Sequence, residues 1–220
     1  MPQKPPKPTV PSPDVSPLQL NRISIYLRCL NRLQEEGVEQ VSSKVLAARF
    51  NLSAPLIRKD LAQFGELGIR GHGYDVGKLI DRFVELFGLD REQKVIVVGM
   101  GKLGSALADH FDGSHGAFRV VAGLDTDPEK IGSSIGLLVV QPIQDIATVV
   151  KETGAEIGLL TVPRASAQDS FERMVAAGIR SVLNFAPVRL DADPSIHLRN
   201  VDLRIHLEEL AFFAQSDRQE

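Results

Sequence analysis

A single cysteine, Cys29, stands in 220 residues. That excludes an intramolecular disulfide framework and a cysteine-rich metal cluster, and it suits a reducing compartment. No stretch approaches the ~20 apolar residues of a membrane span. The opening MPQKPPKPTVPSPDV lacks the apolar run of a secretory signal. A soluble, cytoplasmic protein with no membrane partner is therefore expected. Catalytic signatures are scarce too. His72, His110, His115, His197 and His206 show neither a carboxylate partner nor metal spacing, and no Ser or Cys lies in a nucleophile motif. What is present is an ordinary foldable composition, 43% apolar and 24% charged with a net charge of −3, at a length that suits one large or two modest domains.

The charge is unevenly spread. Residues 18–90 carry 10 Lys and Arg against 9 Asp and Glu, whereas residues 91–220 carry 13 against 18. Within residues 40–74, Lys44, Arg49, Arg58, Lys59 and Arg70 face only Asp60 and Glu66, a local excess of +3. A basic patch on an acidic chain marks an anionic partner such as nucleic acid, or simply a solvated helical face.

Seven of the 13 prolines fall in residues 1–17, which predicts a disordered tail leaning to polyproline II. From Leu18 an apolar stripe, Leu20, Ile23, Leu27, Leu30 and Leu33, predicts a helix running to Gly37. Cys29 lies beside that stripe as packing. A second helix fits 42–50, capped by Ser42 or Ser43 and stopped at Asn51. A third fits 54–64, with Ser53 as N-cap and Pro55 in its first turn. Glycines in 69–76 predict a hairpin. This order is that of a winged helix-turn-helix domain whose third helix enters the major groove, with Arg58 or Lys59 reaching base edges and Arg70 and His72 near the backbone or minor groove. It is equally the order of an unremarkable helical subdomain.

After an amphipathic helix at 79–89 and a charged joint at 90–93, the periodicity changes. Strands at 95–98, 119–124, 137–140, 156–161 and 181–185 alternate with helices at 103–111, 144–152 and 165–177, which predicts a parallel sheet covered on both faces. The segment Val98-Gly99-Met100-Gly101-Lys102-Leu103-Gly104 places G-x-G-x-x-G between a strand and a helix. Asp125 closes the next strand, 21 residues after Gly104, where an acid that binds ribose hydroxyls belongs. Gly99 permits the turn, Gly101 the approach to a pyrophosphate and Gly104 close packing. Asp125 would repel a 2′-phosphate, which favours NAD(H) over NADP(H), and Asp127 is placed to share its role. Thr161-Val162-Pro163 and Asn184-Phe185-Ala186-Pro187 reach the carboxyl edge of the sheet, as walls of the site or as strand terminators.

Taken in order, Leu56-Ile57-Arg58-Lys59-Asp60-Leu61-Ala62-Gln63-Phe64-Gly65, Arg70-Gly71-His72-Gly73-Tyr74, the glycine loop and Asn184-Phe185-Ala186-Pro187 resemble the bacterial redox-sensing transcriptional repressor Rex family. The similarity runs from about residue 18 to 213. It implies a winged helix-turn-helix domain over 18–90, a Rossmann-like doubly wound domain over 91–200, and a C-terminal helix over 201–216 that is exchanged between the subunits of a homodimer. It implies NADH and NAD as sensed ligands and a two-fold symmetric double-stranded operator. Operator contacts carry over to Ser43, Ser53, Arg58, Lys59, Arg70, Gly71, His72, Gly73 and Tyr74. Dinucleotide contacts carry over to Gly99, Met100, Gly101, Lys102, Leu103, Gly104, Asp125, Thr161, Val162, Pro163, Asn184 and Phe185. Arg22 and Asp202 resemble the charged pair that couples the family's domains. His110 stands where the family often has Tyr, and Leu203 where Phe often follows the Asp. The competing readings are an NAD-dependent oxidoreductase with a substrate site at the dimer interface and a nucleotide- or CoA-binding module of a larger assembly.

Overall fold

The computed structural model describes residues 15–64, 68–69, 73–112 and 116–216. Most of the proline-rich start lies outside them, as do Arg70, Gly71, His72 and His115. By contacts the chain divides into two units, residues 1–90 and 91–220.

The first unit opens with α1 (Pro17–Glu35). Pro17, counted with the tail on sequence grounds, is instead the first helical residue, and the Ser16 side chain caps the helix by accepting from the Gln19 N–H at 3.3 Å. Short β1 (Gln40–Val41) leads to α2 (Ser43–Phe50), and α3 (Ala54–Ala62) follows. Ser42 caps α2 by accepting from Val45 N–H, and Asn51 ends it in the left-handed region at φ 50°. Ser53 sits at the N-cap of α3, but its side chain makes no capping hydrogen bond. β2 (Gly68–Ile69) and β3 (Gly73–Asp75) pair antiparallel as the expected hairpin, and β1 adds to β3 to make a three-stranded sheet. α4 (Val76–Phe87) starts at an Asp75 cap and ends at left-handed Gly88. Ile23, Leu30, Ile57, Leu61, Leu79 and Phe83 build one buried core beneath these helices. Cys29 on α1 is buried, and burial pushes its thiol pKa up, away from reactivity.

The second unit is a seven-stranded sheet in the order β10-β9-β8-β4-β5-β7-β6. Its strands are β4 (Gln93–Val98), β5 (Phe118–Asp125), β6 (Ser134–Ile135), β7 (Leu138–Pro142), β8 (Ile157–Leu160), β9 (Ser181–Asn184) and β10 (His197–Asn200). All neighbours are parallel except β6 and β7. The helices between them are α5 (Lys102–Asp112), α6 (Ile146–Thr153) and α7 (Ala167–Ala176). Alternate residues of β4 serve two cores. Val95 and Val97 pack with Ala108 of α5 on one face, while Ile96 and Val98 pack with Val149 of α6 and Met174 of α7 on the other. This is a doubly wound sheet, as expected. The switch point is at β4, whose neighbours β5 and β8 come from opposite winding directions.

The described residues end with α8 (Leu203–Ser216), in which no residue is buried. Asp202 Oδ1 accepts from the Arg204 N–H at 2.9 Å at its start. Leu203, Ile205, Leu207, Leu210, Phe212 and Phe213 are all at least half exposed, from 54% to 67%.

Candidate functional site

Where β4 ends, Gly99 takes φ +98°, and a Cβ on it would lie 2.7 Å from Val162 Cγ1. A Cβ on Gly104 would lie 2.0 Å from Gly99 O, so the third glycine lets α5 start against the loop. At Gly101 a Cβ would meet nothing within 4 Å. The middle glycine therefore presents bare backbone to open space, directly before the helix whose first N–H groups lack intrahelical partners. Such a helix start attracts phosphate. Two tethers fix the loop. Met100 N–H donates to Asp125 Oδ2 at 2.8 Å, and the Thr161 hydroxyl reaches Gly99 O at 2.7 Å.

A cavity of about 370 Å³ opens at this edge. Of the residues predicted for the dinucleotide, it brings together Gly99, Gly101, Asp125, Thr161, Val162 and Pro163. Met100, Lys102, Leu103, Gly104, Asn184 and Phe185 are not in its wall. Met100 is buried, with its sulfur against Gly123. Asn184 is fully enclosed, and its amide nitrogen donates to Val188 O at 3.1 Å and to Asn200 Oδ1 at 2.9 Å while its oxygen accepts from Ala186 N–H at 2.9 Å. It thus secures the turn after β9. Sequence reasoning passed over Thr126, Lys130, Ile143, Ser166 and Ser170, which together with Val98 at the end of β4 complete the wall. Lys130 was the most legible of these, since it lies five residues beyond Asp125 in a polar loop.

Asp125 is almost fully enclosed. Burial alone would raise its carboxyl pKa, but hydrogen bonds from Asp127 N–H, Lys130 and Met100 N–H, together with the Lys130 charge, outweigh it and hold the pKa below the ordinary carboxylate value. The Lys130 ammonium is correspondingly raised, first through its hydrogen bond to Asp125.

In the first unit, Arg58 Nη1 donates to Ser43 Oγ at 3.1 Å, so the first residue of α2 steadies the arginine of α3. Ser43 itself is buried, whereas Lys59 is exposed beside Arg58. Gly73 takes φ +90°, with Val41 O only 2.6 Å from where a Cβ would be, and Tyr74 is half-buried against the core. Asp60, on the inner side of α3, is buried and accepts from Arg22 and from the Tyr26 hydroxyl. Arg22 is thus partnered by Asp60 within its own unit, and Asp202 by the backbone of α8. His110 is exposed, edge-on to Phe111 at 5.1 Å, and Leu203 is exposed. No group of three or more His, Cys, Asp or Glu among the described residues is placed to hold a metal ion, and no described helix is long and apolar enough to cross a membrane.

Two family profiles match the chain, one described as putative DNA-binding protein N-terminus over residues 14–62 and one as CoA binding domain over residues 90–188. The redox-sensing transcriptional repressor Rex of Carboxydothermus hydrogenoformans is 40% identical over 198 residues, covering 90% of this chain and 95% of that protein. Redox-sensing transcriptional repressor Rex 1 of Thermotoga maritima is 43% identical, covering 87% and 91%. Among solved structures, RSP in complex with β-NAD⁺ and operator DNA superposes with a TM-score of 0.87 at 29% identity, over 93% of this chain and 94% of that one. RSP with β-NADH gives 0.83 at 28%, over 94% and 97%. Near-full-length agreement with these repressors, spanning α3 and the glycine loop alike, shows that the chain belongs to the redox-sensing transcriptional repressor Rex family.

Proposed function

We propose that this protein is a DNA-binding transcriptional repressor that reads the NADH/NAD ratio, with NADH binding in the second unit releasing operator DNA from the first. The observation that carries the proposal is the glycine loop. Gly101 leaves an open approach in front of the α5 N-terminus, on the wall of a cavity at the sheet's switch point. A dinucleotide's pyrophosphate fits such a place. The relatives' names and the RSP complexes with both dinucleotide forms and operator support the same assignment.

NAD⁺ and NADH differ at the nicotinamide by one unit of charge and by ring planarity. Apolar Ile143 and Val162 share the cavity wall, and an apolar wall disfavours an unpaired positive charge. Preference for NADH therefore needs no chemical turnover, and the protein acts as a sensor rather than an enzyme. Arg58 and Lys59 on α3 contact the operator, Arg58 as the bidentate reader of a base edge and Lys59 toward phosphate. The apolar residues of α8, exposed in a single chain, are covered in a homodimer by exchange of that helix between subunits. Two recognition helices related by a two-fold axis then read half-sites about 34 Å apart, and NADH favours a closed dimer in which that spacing is lost.

The coupling is reciprocal, so operator DNA must weaken NADH binding by the factor by which NADH weakens operator binding. A fluorescence titration of NADH with and without operator tests it. Identical NADH affinity in both would reject the proposal.

A further inference from the structure

At the amino edge of the seven-stranded sheet, the opposite end of β4 from the glycine loop, lies a second cavity of about 350 Å³. Two cations form its polar side. The register of β4 and β5 sets Lys94 directly against Arg119, and residues so opposed share a face of the sheet, where like charges repel. Lys94 Nζ donates to the carbonyl of Thr153, the last residue of α6, at 2.7 Å, which orients the ammonium and takes one of its three donors. Arg119 meets Glu92 through a single Nη1–Oε2 contact of 3.3 Å, longer than the ~2.7–2.9 Å of a strong charge-assisted bond. Both of those side chains are about half exposed, and an exposed pair of this kind contributes little.

The other side of the cavity is apolar. The β4–β5 ladder shifts register so that Val95 faces Val120 and Ile96 faces Ala122. Val121 is thus the extra residue of a bulge, a device that re-aims a side chain. It stands half-buried in the cavity wall with Leu138 at the start of β7 and Leu137 in the turn before it. Leu137 is 87% exposed, more than any other large apolar side chain among the described residues.

We propose that this cavity binds a small aliphatic carboxylic acid, with its carboxylate on Arg119 and Lys94 and its chain against Val121, Leu137 and Leu138. The guanidinium fork matches a carboxylate with two parallel hydrogen bonds, whereas Glu92 engages it at one point. The charge of the ligand relieves the repulsion between the two cations, and its chain removes apolar surface from water. Glu92 competes for Arg119 and repels a dianion such as phosphate, which has no use for the leucines. The volume is at the lower end of the range for small-molecule sites, about 300–1,000 Å³, and suits a chain of a few carbons. No residue lines both this cavity and the one at the glycine loop, so the inference is independent of the dinucleotide reading.

Titration of isotope-labelled full-length protein with hexanoate, followed by amide chemical shifts, tests this, with hexanol, acetate and inorganic phosphate as comparison ligands. Saturable shifts should centre on residues 92–94, 119–121 and 137–138, with a dissociation constant of about 1 mM, as befits so small a ligand. Hexanol lacks the charge and acetate the chain, so each should bind about tenfold more weakly, and phosphate likewise. Arg119→Gln should weaken hexanoate about tenfold, and Leu137→Ser about threefold. Glu92→Gln should tighten it about threefold, because the competing carboxylate is gone. No saturable shift up to about 20 mM, shifts centred elsewhere, or affinity unchanged in Arg119→Gln would overturn the proposal. So would hexanol or phosphate binding as tightly as hexanoate. Were Arg119→Gln to unfold, Glu92→Gln decides the question, since weaker or unchanged hexanoate binding in that variant would overturn the proposal too.

Discussion

Arg22 grips Asp60 through two hydrogen bonds of 2.7 Å, Nε to Oδ2 and Nη2 to Oδ1, and so clamps α1 to the helix that carries Arg58 and Lys59. The Tyr26 hydroxyl adds a third bond to the same carboxylate at 2.9 Å. Desolvation, with help from Asp60, raises the Tyr26 pKa, so it remains a donor at all ordinary pH. Asp60 is only 3% exposed at its side chain, whereas Arg22 is 26% exposed. The orientation of α3 therefore depends on a pair that its exposed surface does not reveal.

Replacing Asp60 by Ala strips Arg22 and Tyr26 of their shared acceptor. Losing one partner of a fully buried pair costs about 3–5 kcal/mol. Because Arg22 keeps some access to water, the expected loss is about 2 kcal/mol in urea unfolding of the first unit, with weaker operator binding at every base position. A variant as stable as wild type would show that the clamp contributes nothing.

Arg58 and Lys59 are adjacent, yet their substitution should differ in kind. Arg58→Ala is expected to cost about 1–3 kcal/mol and to relax specificity at one base position. Lys59→Ala should weaken all sequences alike and lower the slope of log affinity against log salt by about 1. Operator variants titrated at several salt concentrations separate the two. Identical behaviour of both would contradict the division of roles.

The glycines of the loop make a sharper pair. Gly104→Ala forces a Cβ to within 2.0 Å of Gly99 O, whereas Gly101→Ala places one in open space. The first should lower the melting temperature and abolish NADH binding. The second should melt like wild type and still lose NADH, because its methyl group occupies the ligand's approach. Calorimetry beside a binding titration checks both, and full NADH affinity in Gly101→Ala would remove the loop from the site.

The Asp125 tether has a pH signature. A carboxylate whose folded pKa is depressed contributes stability that is present above its unfolded value, ~3.9, and is lost as pH falls through the lower folded value. Lys130, whose folded pKa is raised, contributes stability that is present below its unfolded value, ~10.4, and is lost as pH rises through the folded value. The stability gap between wild type and Asp125→Asn should thus be flat from roughly pH 4.5 to 10 and shrink below about pH 4. A gap that varies across neutral pH would place its origin elsewhere.

The α8 face supplies a fifth test. A chain ending at residue 202 removes six exposed apolar side chains between Leu203 and Phe213 and should sediment as a monomer with an intact second unit. A truncated chain that remains dimeric would rule out helix exchange as the basis of the dimer.

Much of this architecture could be read in the sequence, for identifiable reasons. Runs such as Val95–Val98 are apolar on both faces because helices cover both, and that pattern needs no tertiary knowledge. Caps at Ser42 and Asn51 and the three glycine roles follow from local backbone geometry. Other features had no local signal. β10, His197–Asn200, is a polar edge strand with mostly exposed residues, so no alternation marked it, and two-residue β6 is too short for a period. The Arg22–Asp60 bond spans 38 positions, and nothing local to Asp60 sets it apart from any other helical acid. Asp125 was found by its spacing, but the spacing could not show that its oxygens face Met100, Thr126, Asp127 and Lys130.

The coupling of dinucleotide to DNA is the central claim, and selection from random duplex DNA at fixed salt, with NADH, with NAD⁺ and without either, tests it most directly. The account predicts enrichment of a two-fold symmetric site that is lost with NADH and far less affected by NAD⁺. A site enriched equally in all three conditions, or no enriched site at all, would contradict it.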